Sequence, residues 1–290
     1  MELLIVLARI LSASFANVFQ KKLTHQDLHP FFIVMVSYLV LSLICLPLIW
    51  TFNYDELSTI FWLNIFFAAL LDMAGTLFLV MSLSKTDLSI FGPLNAYKVV
   101  ISMILAMIFL GEIPNSQGFL GVAVILVGSF FLFPSSEKVN GNRLLQLFTI
   151  KGVRYRFLSI LLFSIGTLPL KSAVIIASPL ATAVFWCLIG FPLAILAYVM
   201  FIRGSFTQNT SEAKQYLPQF FFLGVLMFVM QYTSMLVLSK FFIAYTLALF
   251  QLSMVLQVFL GYRIFNEQHV LRRMGACLVM VAGSLLVLNA

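Results

Sequence analysis

Long apolar runs, each separated by a few polar residues, make up most of the chain. Ten can be marked, near 2–22, 30–51, 58–83, 88–110, 115–133, 155–177, 179–202, 216–240, 243–265 and 271–289. A helix needs about 20 mostly apolar residues to cross a bilayer, and these runs are of that order. In hydrocarbon every backbone N–H and C=O must be satisfied inside the structure, by a helix or a closed barrel. Barrel strands alternate apolar and polar positions, whereas these runs are continuously apolar. The pattern predicts an all-α integral membrane protein with ten transmembrane helices. Most connections are short, so successive helices run antiparallel. The longest polar stretch, Pro134 to Arg154, parts the runs into two sets of five. We read residues 1–135 as a first five-helix repeat, 136–154 as a basic connecting loop and 155–290 as a second five-helix repeat.

The two sets resemble each other. At an offset of 155, Ser84-Lys85 matches Ser239-Lys240, Glu112 matches Glu267, and Gly128-Ser129 matches Gly283-Ser284. Near an offset of 150, Lys21 matches Lys171, each followed by a proline, Pro30 or Pro179. An ordered series on nearly one register reads as duplication. Because each copy holds an odd number of helices, the second must enter the membrane upside down. Inverted repeats are a common transporter plan, with substrate held at the interface between the copies.

Composition narrows the class further. Of 290 residues, 62% are hydrophobic and 9% charged, with a mean hydropathy of +1.08. A soluble domain carries roughly 25% charged residues, so a soluble globule is excluded. The net charge of +7 fits basic helix ends rather than nucleic acid, since no basic patch interleaves with aromatics outside the apolar runs. Positive residues gather on one side. The loops reached after odd-numbered segments carry Lys21, Lys22, Lys85, Lys138, Arg143, Lys151, Arg154, Arg156, Arg203, Lys214, Arg263, Arg272 and Arg273, against Lys240 and the nearby Lys171 opposite. Positive-inside counting puts the odd-side loops in the cytoplasm of a plasma (bacterial inner) membrane and both termini outside. The first run lacks the basic lead and cleavage site of a signal peptide and is expected to be a retained helix. Cys45, Cys187 and Cys277 each lie in an apolar run and read as packing residues.

The stretch IFLGEIPNSQGFLGVAVILVGSFFLF (108–133) ends a helix in Gly-Glu, turns, and opens a Gly-rich helix. IFNEQHVLRRMGACLVMVAGSLLVL (264–288) repeats it with Asn266 in place of the glycine. Together with ASFANVFQKKL and TLPLKSAV, which resemble the lysine-bearing first helix of each half, these segments resemble the drug/metabolite transporter superfamily, EamA type. The resemblance covers nearly the whole chain and implies a ten-helix transporter. It also implies cytoplasmic termini, opposite to the charge count. The chain departs from the family in lacking an arginine around Tyr38 and Trp186 and a proline at Val99, with Gly92-Pro93 lying earlier instead.

Charges inside a bilayer are costly and face a cavity or a partner. Arg9, Asp72, Lys98 and Lys171 fall within apolar runs, with Asp72 and Lys98 near the centres of theirs. Asp72–Lys98 reads either as a buried ion pair fixing the third and fourth helices or as a central substrate site. Helical spacing groups Asn95, Lys98 and Ser102 on one face, Asn64, Ala68, Asp72 and Thr76 on another, and Arg9, Ala13, Ala16 and Gln20 on a third with Asn17 beside it. Ser253 and Gln257 lie one turn apart. Tyr97, Trp186, Tyr232 and Tyr245 carry a polar handle within a span, while Trp50, Trp62 and Tyr54 read as interface belt. The expected substrate contacts are Arg9, Asn17, Asp72, Asn95, Tyr97, Lys98, Lys171, Trp186 and Gln251. Lys85, Lys240, Glu112 and Glu267 read as structural anchors, with a gate as the other reading. Gly121, Gly128, Ala276 and Gly283 allow close packing of the fifth and tenth helices. Pro93, Pro169 and Pro192 are expected to interrupt their helices.

These features predict a secondary transporter of a small polar metabolite, zwitterionic or anionic (an amino acid or organic anion), working by alternating access between the repeats. No ATP-binding motif is present, so the drive is a proton gradient or exchange, with Asp72 as the proton-coupling candidate. No catalytic residue, cofactor or metal ligand is expected. The competing class is a membrane-embedded enzyme acting on a lipid or isoprenoid substrate, for which His25, Asp27, His29 and His269 are the available material. A channel lacks any repeated filter.

Overall fold

The computed structural model describes residues 2–26, 28–52, 57–110, 115–132, 150–202, 214–240 and 250–288. The described residues form helices and their connections, with no strand among them. The helices are α1 (Glu2–Thr24), α2 (Pro30–Cys45, prolonged by a 3-10 segment Leu46–Thr51), α3 (Thr59–Leu83), α4 (Leu88–Phe91), α5 (Tyr97–Leu110) and α6 (Ser116–Phe130) in the first half. The second half holds α7 (Lys151–Ile176), α8 (Pro179–Phe201), α9 (Leu217–Lys240), α10 (Ser253–Phe265) and α11 (Val270–Leu288). A 3-10 segment, Pro93–Ala96, joins α4 to α5, so these form one broken span.

Local chemistry sets several of the ends. Ser58 caps α3 by accepting from the Phe61 amide at 3.3 Å, and Ser178 caps α8 through the Ala181 amide at 3.1 Å. The His29 ring does the same for α2, accepting from the Phe31 amide at 3.4 Å. Pro30 and Pro179 then occupy first helical positions, where the missing N–H costs nothing. Asn266 ends α10 in the left-handed conformation, with φ 51°, a geometry open to glycine and asparagine. That accounts for asparagine standing where the matching segment of the first half has Gly111. Two expectations need correction. Pro169 and Pro192 lie inside α7 and α8 without breaking either helix, because tight packing in a membrane bundle tolerates an interior proline. Of the three prolines, the one that marks a break among the described residues is Pro93, at Gly92-Pro93. Residues 151–154, expected in the connecting loop, form the start of α7.

Eight helical stretches among the described residues are long and apolar enough to cross a membrane. Ser116–Gly128 and Ser253–Phe265 are shorter apolar helices, and each borders residues outside the described set. The surface is inverted relative to a soluble protein. Trp50 and Leu271 are 88% and 87% exposed, and Leu3, Phe67, Ile175 and Phe201 also point outward. Asp72, Arg156, Gln231 and Gln257 are buried. Such an outer face is stable only against lipid. Trp62, in the first turn of α3, packs on Phe185 at 4.8 Å between ring centres. Tyr54 lies outside the described residues.

Packing follows a regular scheme. α3 runs along α7 and α1 along α9; α2 meets α8 and α6 meets α11. α3 also touches α8, α2 touches α9, α1 touches α10, α5 touches α7, and α4 crosses α10. The α6–α11 contact depends on small residues: a Cβ on Gly121 would lie 2.7 Å from the Gly283 carbonyl oxygen, and one on Gly283 2.8 Å from that of Gly121. The buried apolar side chains divide into two main clusters. One gathers α1, α2, α3, α7, α8 and α9 around Tyr38, Phe61 and Phe220. The other joins the α4–α5 span, α6, α10 and α11 around Leu94, Ile125 and Met280, with Val153 and Ile160 of α7.

Candidate functional site

A cavity of about 150 Å³ lies between these two clusters. Its floor and walls come from both halves of the chain. Arg9, Asn17 and Gln20 project from α1, Asp72 and Thr76 from α3, and Asn95 and Lys98 from the broken span. Arg156 and Thr167 reach in from α7, Trp186 from α8, Gln231 and Ser234 from α9, and Gln251, Ser253 and Gln257 from the α10 region. The break at Gly92 matters to this layout, since a Cβ there would meet the Gln257 side chain at 2.9 Å.

Asp72 is buried, and its Oδ2 accepts from the Trp186 indole N–H at 3.0 Å. The Thr76 hydroxyl donates back to the Asp72 carbonyl at 2.8 Å, a turn-level bond that holds the helix in place. Lys98 acts on the carboxylate through its charge rather than by a direct bond among the described residues. Its ammonium lies 5.9 Å from the Phe163 ring centre. Arg9 donates from Nε to the Ser234 hydroxyl at 2.6 Å and stacks over the Phe250 ring at 4.1 Å. Arg156 donates to Asn95 Oδ1 at 2.5 Å and lies 3.9 Å over the Phe91 ring. Several polar atoms of the lining find no partner among the described residues: Arg156 Nε and the carboxamide oxygens of Gln20, Gln251 and Gln257. Buried polar atoms are normally paired, so this wall is prepared for something other than its own neighbours.

Of the expected contacts, Arg9, Asn17, Asp72, Asn95, Lys98, Trp186 and Gln251 line this one cavity. Tyr97 does not: it is buried between α5 and α7, edge-on to Phe157 at 4.8 Å. Lys171 is half-buried beyond Leu170, the last α7 residue of the lining. Arg156 was counted as a loop charge and requires correction, being buried within α7. So are Lys21 and Arg273, which are buried as well. Tyr232 stacks on Phe228 and is not in the lining; Asn64 donates to its own helix at Ile60. Tyr245 and Glu112 lie outside the described residues, as does the side chain of Ser102.

A second buried cluster closes around Glu267, at the turn between α10 and α11. Its Oε1 accepts from Lys21 Nζ at 2.8 Å and from the Leu88 amide at 2.7 Å. Its Oε2 accepts from the Ser89 amide at 2.8 Å and the Ser89 hydroxyl at 2.5 Å. Arg273 pairs with Asp87 at 2.9 Å and donates to the Ser89 hydroxyl. Burial alone would raise the Glu267 carboxyl, but the Lys21 charge and the hydrogen bonds from Lys21 and Ser89 outweigh it and hold the group below its ordinary value. The His25/His29 motif forms no centre: His29 caps α2, and Asp27 lies outside the described residues. Among the described residues no group of three or more His, Cys, Asp or Glu is placed to hold a metal.

Fold and cavity together define a multi-pass helical membrane protein with a polar chamber enclosed by its bundle. Residues 1–133 match the model of the EamA-like transporter family, a family of the drug/metabolite transporter superfamily, so the first half of the chain is similar to it. Comparison with curated proteins finds no match. Among solved structures, the chain is similar to one described as "Crystal structure of protein", with a TM-score of 0.66 at 12% identity, over 98% of this chain and 94% of that chain. At such identity the likeness speaks to the fold alone.

Proposed function

We propose that the protein is a secondary transporter that carries a small polar metabolite through the central cavity by alternating access, drawing on a proton gradient or on exchange. The observation that carries this reading is the cavity itself, a chamber of buried charges and unpartnered carboxamides inside a lipid-facing bundle. The ten-helix inverted-repeat plan is supported by the packing scheme. Exchanging the halves turns α3–α7 into α9–α1, α3–α8 into α9–α2, and α1–α10 into α7 against the α4–α5 span; α2–α8 and α6–α11 map onto themselves. The moving parts follow from the two apolar clusters rather than from the repeats. One bundle combines the first three helices of each half, and the other combines the last two. Sliding between them opens the cavity to one side at a time, and the Glu267 cluster lies where such a movement must separate α1 from the broken span and the α10–α11 turn. The odd-side loops are cytoplasmic and both termini outward in a plasma membrane, on the strength of the charge count.

Asp72 is the coupling residue in this reading, with Lys98 its electrostatic partner. The test is uptake of labelled alanine and labelled succinate into proteoliposomes, with and without a pH gradient, by wild type, Asp72→Asn and Lys98→Met at equal incorporation. Wild type is expected to concentrate one of the two solutes, with Lys98→Met slow and Asp72→Asn indifferent to the gradient. Wild-type rates and coupling in both variants would remove the pair from the mechanism.

A further inference from the structure

The cavity is unbalanced in charge. Its lining holds three cations, Arg9, Lys98 and Arg156, against one carboxylate, Asp72. The charges of Asp72, Arg9 and Arg156 all act on Lys98, so the four groups form one electrostatic unit. Neither arginine meets a carboxylate among the described residues; Arg9 bonds a serine and Arg156 an asparagine and, at 3.4 Å, Ser159. Arg156 is 2% exposed, and its Nε has no partner among the described residues. An uncompensated guanidinium in such a place is costly, and its planar fork matches a carboxylate on two bonds.

The two arginines are also related to each other. Each sits in the early turns of the first helix of its half, α1 or α7. Each guanidinium lies over a phenylalanine contributed by the opposite half: Arg9 over Phe250 and Arg156 over Phe91. If the halves are inverted, those early turns lie towards opposite membrane faces, and the two forks approach the cavity from opposite ends. Lys98 and Asp72 line the same cavity, and the Trp186 indole of α8 donates to the Asp72 carboxylate. A zwitterion in this frame would set its ammonium against one guanidinium. A molecule with a carboxylate at each end satisfies both, and a cavity near 150 Å³ takes a solute of roughly benzene size.

We infer that the transported solute is a small dicarboxylate, gripped at its two ends by Arg9 and Arg156. This rests on the transporter reading for its transport step but not for its binding step. The test therefore measures both, with purified full-length protein: binding by calorimetry in detergent, and uptake in proteoliposomes. The probes are succinate, butyrate, alanine and glycerol 3-phosphate. Succinate is expected to bind at least about tenfold tighter than butyrate or alanine, and Arg9→Gln and Arg156→Gln are each expected to weaken it by about tenfold or more while leaving butyrate little changed. Should a glutamine variant fail to fold, Arg9→Lys and Arg156→Lys keep the charge without the fork and are expected to give an intermediate loss. Alanine bound and carried with succinate ignored would overturn the dicarboxylate and leave the transporter reading intact. Binding of glycerol 3-phosphate in preference to succinate would overturn the two-ended grip, as would an absence of binding by all four probes. Arginine-dependent succinate binding without uptake would keep the dicarboxylate site and reject transport.

Discussion

Around Glu267, each carboxylate oxygen is met by two donors, from Lys21, Leu88 and Ser89; the Nε of Arg273 and the hydroxyl of the neighbouring Thr86 have no partner among the described residues, but every acceptor of the central carboxylate is met. In the central cavity, four lining atoms, on Arg156, Gln20, Gln251 and Gln257, have none there. Both regions are buried and both are ionic, yet one is nearly complete and the other is not. A complete network of buried charges fixes a geometry. An incomplete one has a use for a visitor. The difference separates what holds the fold from what the fold is for, and it does so without reference to any relative.

The sharpest way to break that contrast is at Glu267. Glu267→Gln leaves Lys21, and Arg273 Nη1 at 3.7 Å from Glu267 Oε2, buried without that anion and is expected to cost ~3–5 kcal/mol, seen as a fall in melting temperature and in the yield of monodisperse detergent-purified protein. A wild-type melting curve would show the cluster to be dispensable. Acid gives a gentler version of the same test. Because the folded-state Glu267 carboxyl lies below its ordinary value, its stabilising contribution is present above about pH 4.3, the unfolded value, and fades as the pH falls through the folded one. Melting temperature should decline in strong acid, and Glu267→Gln should blunt that decline. The smallest effect belongs to the cavity wall. Gln251→Leu removes a buried carboxamide whose oxygen is unpartnered and is expected to move stability by no more than about 0.5 kcal/mol, while solute binding weakens. A loss of stability as large as that of Glu267→Gln would erase the contrast.

Much of this was legible in the residues, for physical reasons. Arg9, Asp72 and Lys98 stood out because a charge in an apolar run must find a cavity, and all three do line one. Pro30 and Pro179 marked true helix starts, and Gly121 with Gly283 marked the close α6–α11 contact. Arg156 was missed because it stands at the very start of the 155–177 run, so the charge count gives it to the adjoining loop; α7 begins early enough, at Lys151, to carry it inside. Only its likeness to Arg9, a basic residue in the early turns of a first helix, could have signalled it. Tyr97 misled in the opposite way. It stands beside Lys98 in sequence, but adjacent helical residues point about 100° apart, and Tyr97 turns to Phe157 instead. The Glu267 cluster joins four separate segments, which no local pattern reveals.

The most direct test of the account compares Asp72→Asn with Glu267→Gln in the same preparations, reading melting temperature and solute uptake together. Asp72→Asn is expected to keep a near wild-type melting temperature, since the amide oxygen still accepts from Trp186, and to lose gradient-driven uptake; Glu267→Gln is expected to melt early. An Asp72→Asn protein that melts as early as Glu267→Gln, while its folded fraction still carries solute at the wild-type rate, would contradict the assignment of the cavity as the transport site.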